Sequence, residues 1–545
     1  MTERTPTRTN WTGYVLLGTI FLLLTNLGYL NFALRATPEY RYTGANQYAP
    51  ADKLVYMSMI QQGREGILFM KNLHTTDSQR GLLLSPNWFI IGQTARILGV
   101  SNNFSYQLYR IVLTLVFLWF LAVVIQKICA TSASALTAYA FVLFSGGLGW
   151  LYISKHAIIG SMINGIQKFI FLPSDIYVTE GNTLLNFTQA PLFILSQLLM
   201  LLSAYLLVQY KDARSYWWDI VNAALVALLI LMHPYDLPIL AAVFASWAVW
   251  ELWRTNSMRP MLKAAIVLAG GTLAMLYNVH IIASEPVIAE WLKQNLVYSP
   301  PLRNYLWGYG MLIPLWLLGA VQLWRDKRNN PLWMLLLIWS IVVWILLYLP
   351  LDLNRRFTNG FHIPLALIAS VGFLRIYSHL GRSIVKKIGA GLLLWGTVLS
   401  SLVFFLFVNL YFAPNVYGYG YYYVTAEEQG VIDFLAKESS PGQGLLVSDE
   451  KLAFTLTSQL NRPVFRGHDH QTPHLLLKQQ QVDWFFADQD TDTALERKRV
   501  FLSDARIAYV IVNAHRLITI PRWLDTASFL EKVFDSDKLR VYRVR

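Results

Sequence analysis

Apolar runs of about 20 residues recur along this chain, and they constrain its fold more than any other feature. Each is long enough to cross a bilayer's hydrocarbon as a helix. A backbone inside hydrocarbon has to satisfy its own hydrogen bonds, so many such runs imply a helical bundle through the membrane. Their count predicts about eleven transmembrane helices, near 11–33, 106–128, 133–153, 188–210, 216–232, 236–253, 262–283, 305–324, 331–350, 360–378 and 388–411. The fold class expected is an α-helical polytopic membrane protein, which a composition 55% hydrophobic and 14% charged fits. The first run exceeds a signal-peptide core and no small-residue cleavage site follows it, so it is predicted to be a retained anchor. Between 154 and 187 the chain is only moderately apolar, and IIGSMINGIQKFIFLP reads as a re-entrant or surface helix.

Orientation follows from lysine and arginine in short loops. With Arg4 and Arg8 in the cytoplasm, alternate threading puts these inside: Lys127; Lys211 and Arg214; Arg254, Arg259 and Lys263; Arg325, Lys327 and Arg328; Arg375, Arg382, Lys386 and Lys387. The net charge of +13 is then a membrane-orientation signal, and no nucleic-acid partner is implied. The single cysteine, Cys129, allows no internal disulfide. The expected location is the plasma (inner) membrane, N-terminus cytoplasmic. Loops 34–105, 154–187, 233–235, 284–304 and 351–359 and everything after about 412 are left outside.

The last apolar run ends in the aromatic collar YFAPNVYGYGYYYV, and composition then changes. EEQGVIDFLAKE, LAFTLTSQL and TPHLLLKQQQVDWFFAD have helical patterns, while GLLVSDE, IAYVIVN and LRVYRVR have strand patterns. The expected organisation is a membrane domain over 1–424, including the outer loop 34–105, and a small extracytoplasmic α/β domain over 425–545.

The predicted outer loops carry the chain's most unusual polar residues. In the first, Asp52 opens an amphipathic stretch in which Leu54, Tyr56, Met57 and Ile60 recur at helical spacing. It is either a general base at the membrane surface or the N-cap of that helix. Asp175 and Glu180, in PSDIYVTEGNTLLNFTQAP, are either ligands for a metal or sugar hydroxyl or ordinary solvated carboxylates. His233 and Asp236 flank a tight Pro234 turn between two spans, where ionisable groups are costly and are either functional or structural. Arg303 follows Pro300-Pro301 at the mouth of a span, after AEWLKQNLV, a candidate surface helix. Arg355 and Arg356, in LDLNRRFTNGFHIPL, stand against the inside bias of arginine. They bind phosphate oxygens or snorkel at a helix end. His362 lies further in as a core-histidine candidate. His468, His470 and His474 have a spacing that fits no standard zinc site, so a loop contacting the site mouth is expected.

The order of elements is a first span, a long acid-bearing loop, many spans and a terminal α/β domain. It resembles the GT-C superfamily of membrane glycosyltransferases, which includes protein mannosyltransferases, aminoarabinose transferases and oligosaccharyltransferase catalytic subunits. ADKLVYMSMIQQG, GGLGWLY, HPYD, NRRFTNGFHIPL and FRGHDHQTPH are the stretches that carry the likeness, and they are similar to a bacterial branch. The resemblance implies two surface helices in the first loop, a polyprenyl-phosphate sugar donor, and inversion at the anomeric carbon. It also maps the first-loop acid onto Asp52. Many members carry an Asp-Glu pair there; this chain has Asp52-Lys53, so Glu180 or Asp175 would supply a second carboxylate. Oligosaccharyltransferases use a divalent metal and the mannosyltransferase-like members generally do not, so no required metal is expected.

The expected reaction is in-line displacement at the anomeric carbon by an acceptor hydroxyl, on a protein, lipid or glycan. Asp52 removes the proton, and Arg355 and Arg356, with Arg303 or His233, stabilise the departing phosphate. The competing classes are a lipid-linked glycan transporter and an O-antigen ligase or polymerase-like protein. Transporters place ionisable groups on broken helices near the midplane. Here the mid-span segments are nearly free of charge.

Overall fold

In the computed structural model, residues 11–45, 49–152, 173–379, 384–407, 421–514 and 520–545 are described. The expected re-entrant stretch at 158–172, most of the aromatic collar at 411–424, and Arg4, Arg8 and Arg382 lie outside them. The described residues fall into two compact units. One is drawn from Met1–Leu27, Leu108–Asn278 and Val297–Phe412, the other from Gly28–Gln107, Val279–Leu296 and Ala413–Arg545. The long first loop thus belongs to the same compact unit as the C-terminal α/β segment, a division that differs from the expected one at 424/425.

Each predicted apolar run overlaps a helix, though the run at 133–153 is α-helical only to Phe144: Trp11–Leu34, Asn102–Ile128, Ser132–Phe144, Pro191–Gln209, Trp217–Met232, Asp236–Thr255, Arg259–Ser284, Leu302–Tyr309 with Leu312–Lys327, Pro331–Leu346, His362–His379 and Ile384–Phe407. Among the described residues, five are long and apolar enough to cross a membrane, or six if the pair bent by 82° at Gly310 is one span. Large apolar side chains lie bare on several of them, with Trp253 78% and Leu273 69% exposed. Water would penalise such surfaces and lipid tails would not.

In the first unit, small residues let helices approach at backbone distance. A Cβ on Gly319 would collide with the Ile368 carbonyl oxygen, and one on Gly372 with that of Leu315. The Leu312–Lys327 and His362–His379 helices therefore cross with no side chain between them at these positions. The GGLGW stretch packs in the same way on WGYG: Leu148 N–H donates to the Trp307 carbonyl at 2.8 Å, and a Cβ on Gly147 would strike Gly308.

In the second unit, β1 (Tyr40–Tyr42) pairs antiparallel with β2 (Tyr423–Thr425), so the first loop and the C-terminal segment share a ladder. β3 (Gly444–Val447), β4 (Ile507–Asn513), β5 (Leu530–Asp535) and β6 (Leu539–Val544) form a sheet of order β3-β4-β6-β5. β3 is parallel to β4, and the other pairs are antiparallel. Strand alternation sends Leu445, Val447, Tyr509, Ile511 and Val541 into one core, and Leu446, Val510, Val512 and Tyr542 into another. Both faces are covered, which is why IAYVIV, the part of β4 before Asn513, is continuously apolar. The Asp492–Asp504 helix and β5 were not anticipated from sequence, because neither has a strong apolar pattern. The first loop contributes the Pro50–Arg64 and Pro86–Ile97 helices, the pair the family resemblance implies, in contact through Gly63 and Gly92.

Candidate functional site

Two constellations of polar and ionisable side chains emerge, one in each unit. In the second unit, Pro50 presets the start of the Pro50–Arg64 helix, and Ala49 at φ 45° is its N-cap. Asp52 lies in the first turn, so the N-cap reading is corrected: two residues separate it from the capping position. Its side chain is 49% exposed, and one oxygen is 3.0 Å from His468 Nε2. His470 N–H donates to His468 Nδ1 at 3.1 Å. A ring nitrogen that accepts carries no proton, so the proton of neutral His468 is on Nε2 and is donated to Asp52.

A histidine that sequence reading missed supports this arrangement. His74 Nδ1 accepts from His468 N–H at 3.2 Å, and the two rings meet edge-on. Burial pushes His74 well below the usual histidine range, and the neighbouring His468 adds to the effect. Asn72 Nδ2 donates to the Gln471 carbonyl at 2.7 Å, and Thr472 Oγ1 to the His74 carbonyl at 3.1 Å. These pairs are nearly 400 residues apart in sequence, so no local pattern marks them. Lys53, only 3% exposed, donates to the Gly44 carbonyl at 2.5 Å and to Asn103 Oδ1 at 2.7 Å, and sits over the Tyr106 ring.

The first unit gathers Glu180, His233, Asp236, Arg355 and Arg356. A short 3-10 turn, Asn354–Thr358, presents both arginines. Glu180 lies 3.9 Å from Arg356, whose guanidinium also covers the Tyr235 ring at 4.9 Å. Burial raises the Glu180 carboxyl, but Arg355 and Arg356, together with a backbone hydrogen bond and His233, hold the group below the ordinary carboxylate range. Asp236 is fully buried. It accepts from Ser196 Oγ at 2.5 Å and Asn359 Nδ2 at 3.0 Å, and lies 3.0 Å from His233 Nδ1. Asn359 and Ser196 are the network residues sequence reading did not single out. Asn359 sits within the NRRFTNGFHIPL stretch, beside Gly360.

Several alternatives are resolved by placement. Asp175 and Glu180 are buried, not solvated. Asp175 accepts from the Gly147 and Gly149 amides at 3.0 and 3.2 Å, so it clasps a backbone turn. Arg356 packs inward on Tyr235 and Glu180 instead of snorkelling. His362 is held between Ser145 Oγ and Thr183 Oγ1 at 3.2 and 2.8 Å, as a core histidine would be. Arg303 stands exposed on the first turn of the Leu302–Tyr309 helix. Arg110, which sequence reading passed over, is fully buried and donates to the Thr25 and Phe187 carbonyls at 3.2 Å.

Among the described residues, no three histidine, cysteine or acidic side chains gather as a metal site would require. At Asp52 the donor set also fits a metal poorly. Both His468 nitrogens are committed to hydrogen bonds, and the adjacent Lys53 ammonium is buried.

No protein-family model matches the sequence, and no curated protein is detectably similar to it. The fold, by contrast, has solved counterparts. The apo oligosaccharyltransferase of Archaeoglobus fulgidus aligns with a TM-score of 0.54 at 11% identity, over 92% of this chain and 70% of that one. The same organism's AglB, in complex with an inhibitory peptide and a dolichol-phosphate, gives 0.52 at 11% identity, over 93% and 70%. ArnT from Cupriavidus metallidurans bound to undecaprenyl phosphate gives 0.52 at 11% identity, over 98% of both chains. Both proteins are GT-C membrane glycosyltransferases, and the fold of this chain is theirs.

Proposed function

Proceeding from that shared fold, we propose that this chain is an inverting glycosyltransferase that moves a sugar from a polyprenyl phosphate to an acceptor hydroxyl. The observation that carries the proposal is the turn that sets Arg355 and Arg356 beside Glu180, a buried carboxylate held below the ordinary range. Asp236 has its own partners in Ser196, Asn359 and His233. Two guanidiniums presented together from one turn suit an anion such as a lipid phosphate.

In the proposed reaction the acceptor hydroxyl gives its proton to Asp52, and its oxygen bonds to the anomeric carbon from the face opposite the phosphate. The bond from that carbon to the phosphate oxygen breaks, and both electrons leave with the phosphate. Arg355 and Arg356 stabilise the charge that develops there. Asp175 clasps backbone in this scheme, and no step runs through a metal. The proposed topology has eleven spans, a cytoplasmic N-terminus and an extracytoplasmic 425–545 domain. Nucleotide sugars are absent on that side, where a lipid-linked donor serves instead.

The experiment is to offer purified protein a panel of radiolabelled polyprenyl-phosphate sugars with hydroxyl-bearing acceptors. Label should pass to the acceptor and free polyprenyl phosphate should accumulate. Failure to release lipid phosphate from any donor, with protein shown to be folded, would sink the proposal.

A further inference from the structure

We infer that His468, carried by the C-terminal segment, is the positioning residue of Asp52, and that the pair works with the carboxylate as proton acceptor and the imidazole as fixed donor. The inference rests on the reading of Asp52 as a base and deepens it. The geometry assigns the roles through the ring's other nitrogen. Nδ1 accepts the His470 amide proton at 3.1 Å, so Nε2 holds the proton that faces Asp52 at 3.0 Å. To act as a base itself, His468 would have to be protonated on Nδ1 and lose the amide bond, because Nε2 is already occupied.

The ring cannot swing away. Phe454 meets it edge-on at 5.4 Å and His74 at 6.2 Å, while the His468 backbone amide is tied to His74 Nδ1. The imidazole is 9% exposed, whereas Asp52 is 49% exposed. The pair thus presents one accessible carboxylate whose rotamer is set from behind. Among the described residues, the titratable groups around it include His74 and His470, the buried Lys53 next to Asp52, and the Arg466–Glu450 ion pair at 3.0 Å with Asp469 at 3.7 Å from the same guanidinium.

A hydrogen bond donated to the ionised carboxylate favours that form, so its removal raises the pH at which Asp52 becomes an effective base. Glutamine places an N–H where Nε2 lies; alanine places none. His468→Gln should keep transfer within about threefold, and His468→Ala should lower kcat/KM by roughly tenfold or more. In His468→Ala the acidic limb of the pH profile should also move up by about one unit. Equal loss in both variants, or an acidic limb that stays in place in His468→Ala, overturns the inference.

A readout independent of turnover separates this inference from the proposed function. Nitrogen-15 histidine spectra, assigned by difference against His468→Gln, should show a neutral Nε2–H ring whose signal shifts in Asp52→Ala. A protonated or Nδ1–H ring overturns the inference even in an active enzyme. The expected signal in a protein that transfers no sugar leaves the pairing intact and removes only the proposed reaction.

Discussion

Asp52 and the two arginines invite different kinetic signatures. Asp52→Asn keeps the shape and removes the base, so kcat should fall by about 10²–10⁴-fold while protein and lipid binding persist. Near-normal turnover would take Asp52 out of that role. Arg355→Ala and Arg356→Ala each remove a charged donor, and the donor KM should rise roughly 10- to 100-fold. Unchanged donor affinity in both would count against phosphate recognition. These residues were legible in sequence because each is odd where it stands: an acid opening an amphipathic helix, and arginines on the predicted outer side. His74 was not legible, because its significance comes from a ring about 394 residues away.

Elements respond to different chemistry. The crossing of Leu312–Lys327 with His362–His379 depends on Gly319 and Gly372 lying against carbonyl oxygens. Gly372→Leu should destabilise the first unit by about 1–3 kcal/mol or more, read as an earlier melt in detergent. A melting temperature matching wild type would show that the helices can separate at little cost. In the second unit, the segment around His74 should confer a pH-dependent stability. Burial depresses His74 below its ordinary value of 6.5, so the folded state refuses a proton that the unfolded chain accepts. Stability owed to this group is whole above pH 6.5 and falls as pH drops below it, by up to about 1.4 kcal/mol per unit. His74→Asn keeps an acceptor for the His468 amide without titrating, and should flatten that acid slope in thermal melts. An unchanged slope would locate the proton uptake elsewhere.

For the whole molecule, the proposed topology makes one direct prediction. Leu476 is 79% exposed in the α/β segment. In a Cys129→Ser background, Leu476→Cys should react with a membrane-impermeant maleimide in right-side-out vesicles. Labelling only in inverted vesicles would reverse the orientation. The long apolar helices, the Pro50–Arg64 helix and most strands of the α/β segment were legible in sequence, because burial imposes a pattern on neighbouring residues; the Pro86–Ile97 helix followed only from the family resemblance. Nothing periodic foretold that the first loop and the C-terminal segment would form one compact unit, joined by the β1–β2 ladder and the Asp52–His468 bond. Nor did Asp175 and Glu180, both acids in one loop, reveal that one clasps glycine amides and the other faces arginine. Sequence alone determined where the chain could enter a membrane, since apolar length is a local property. The partner of each ionisable group was decided only by tertiary structure, since a hydrogen bond depends on distance in space and not on separation along the chain.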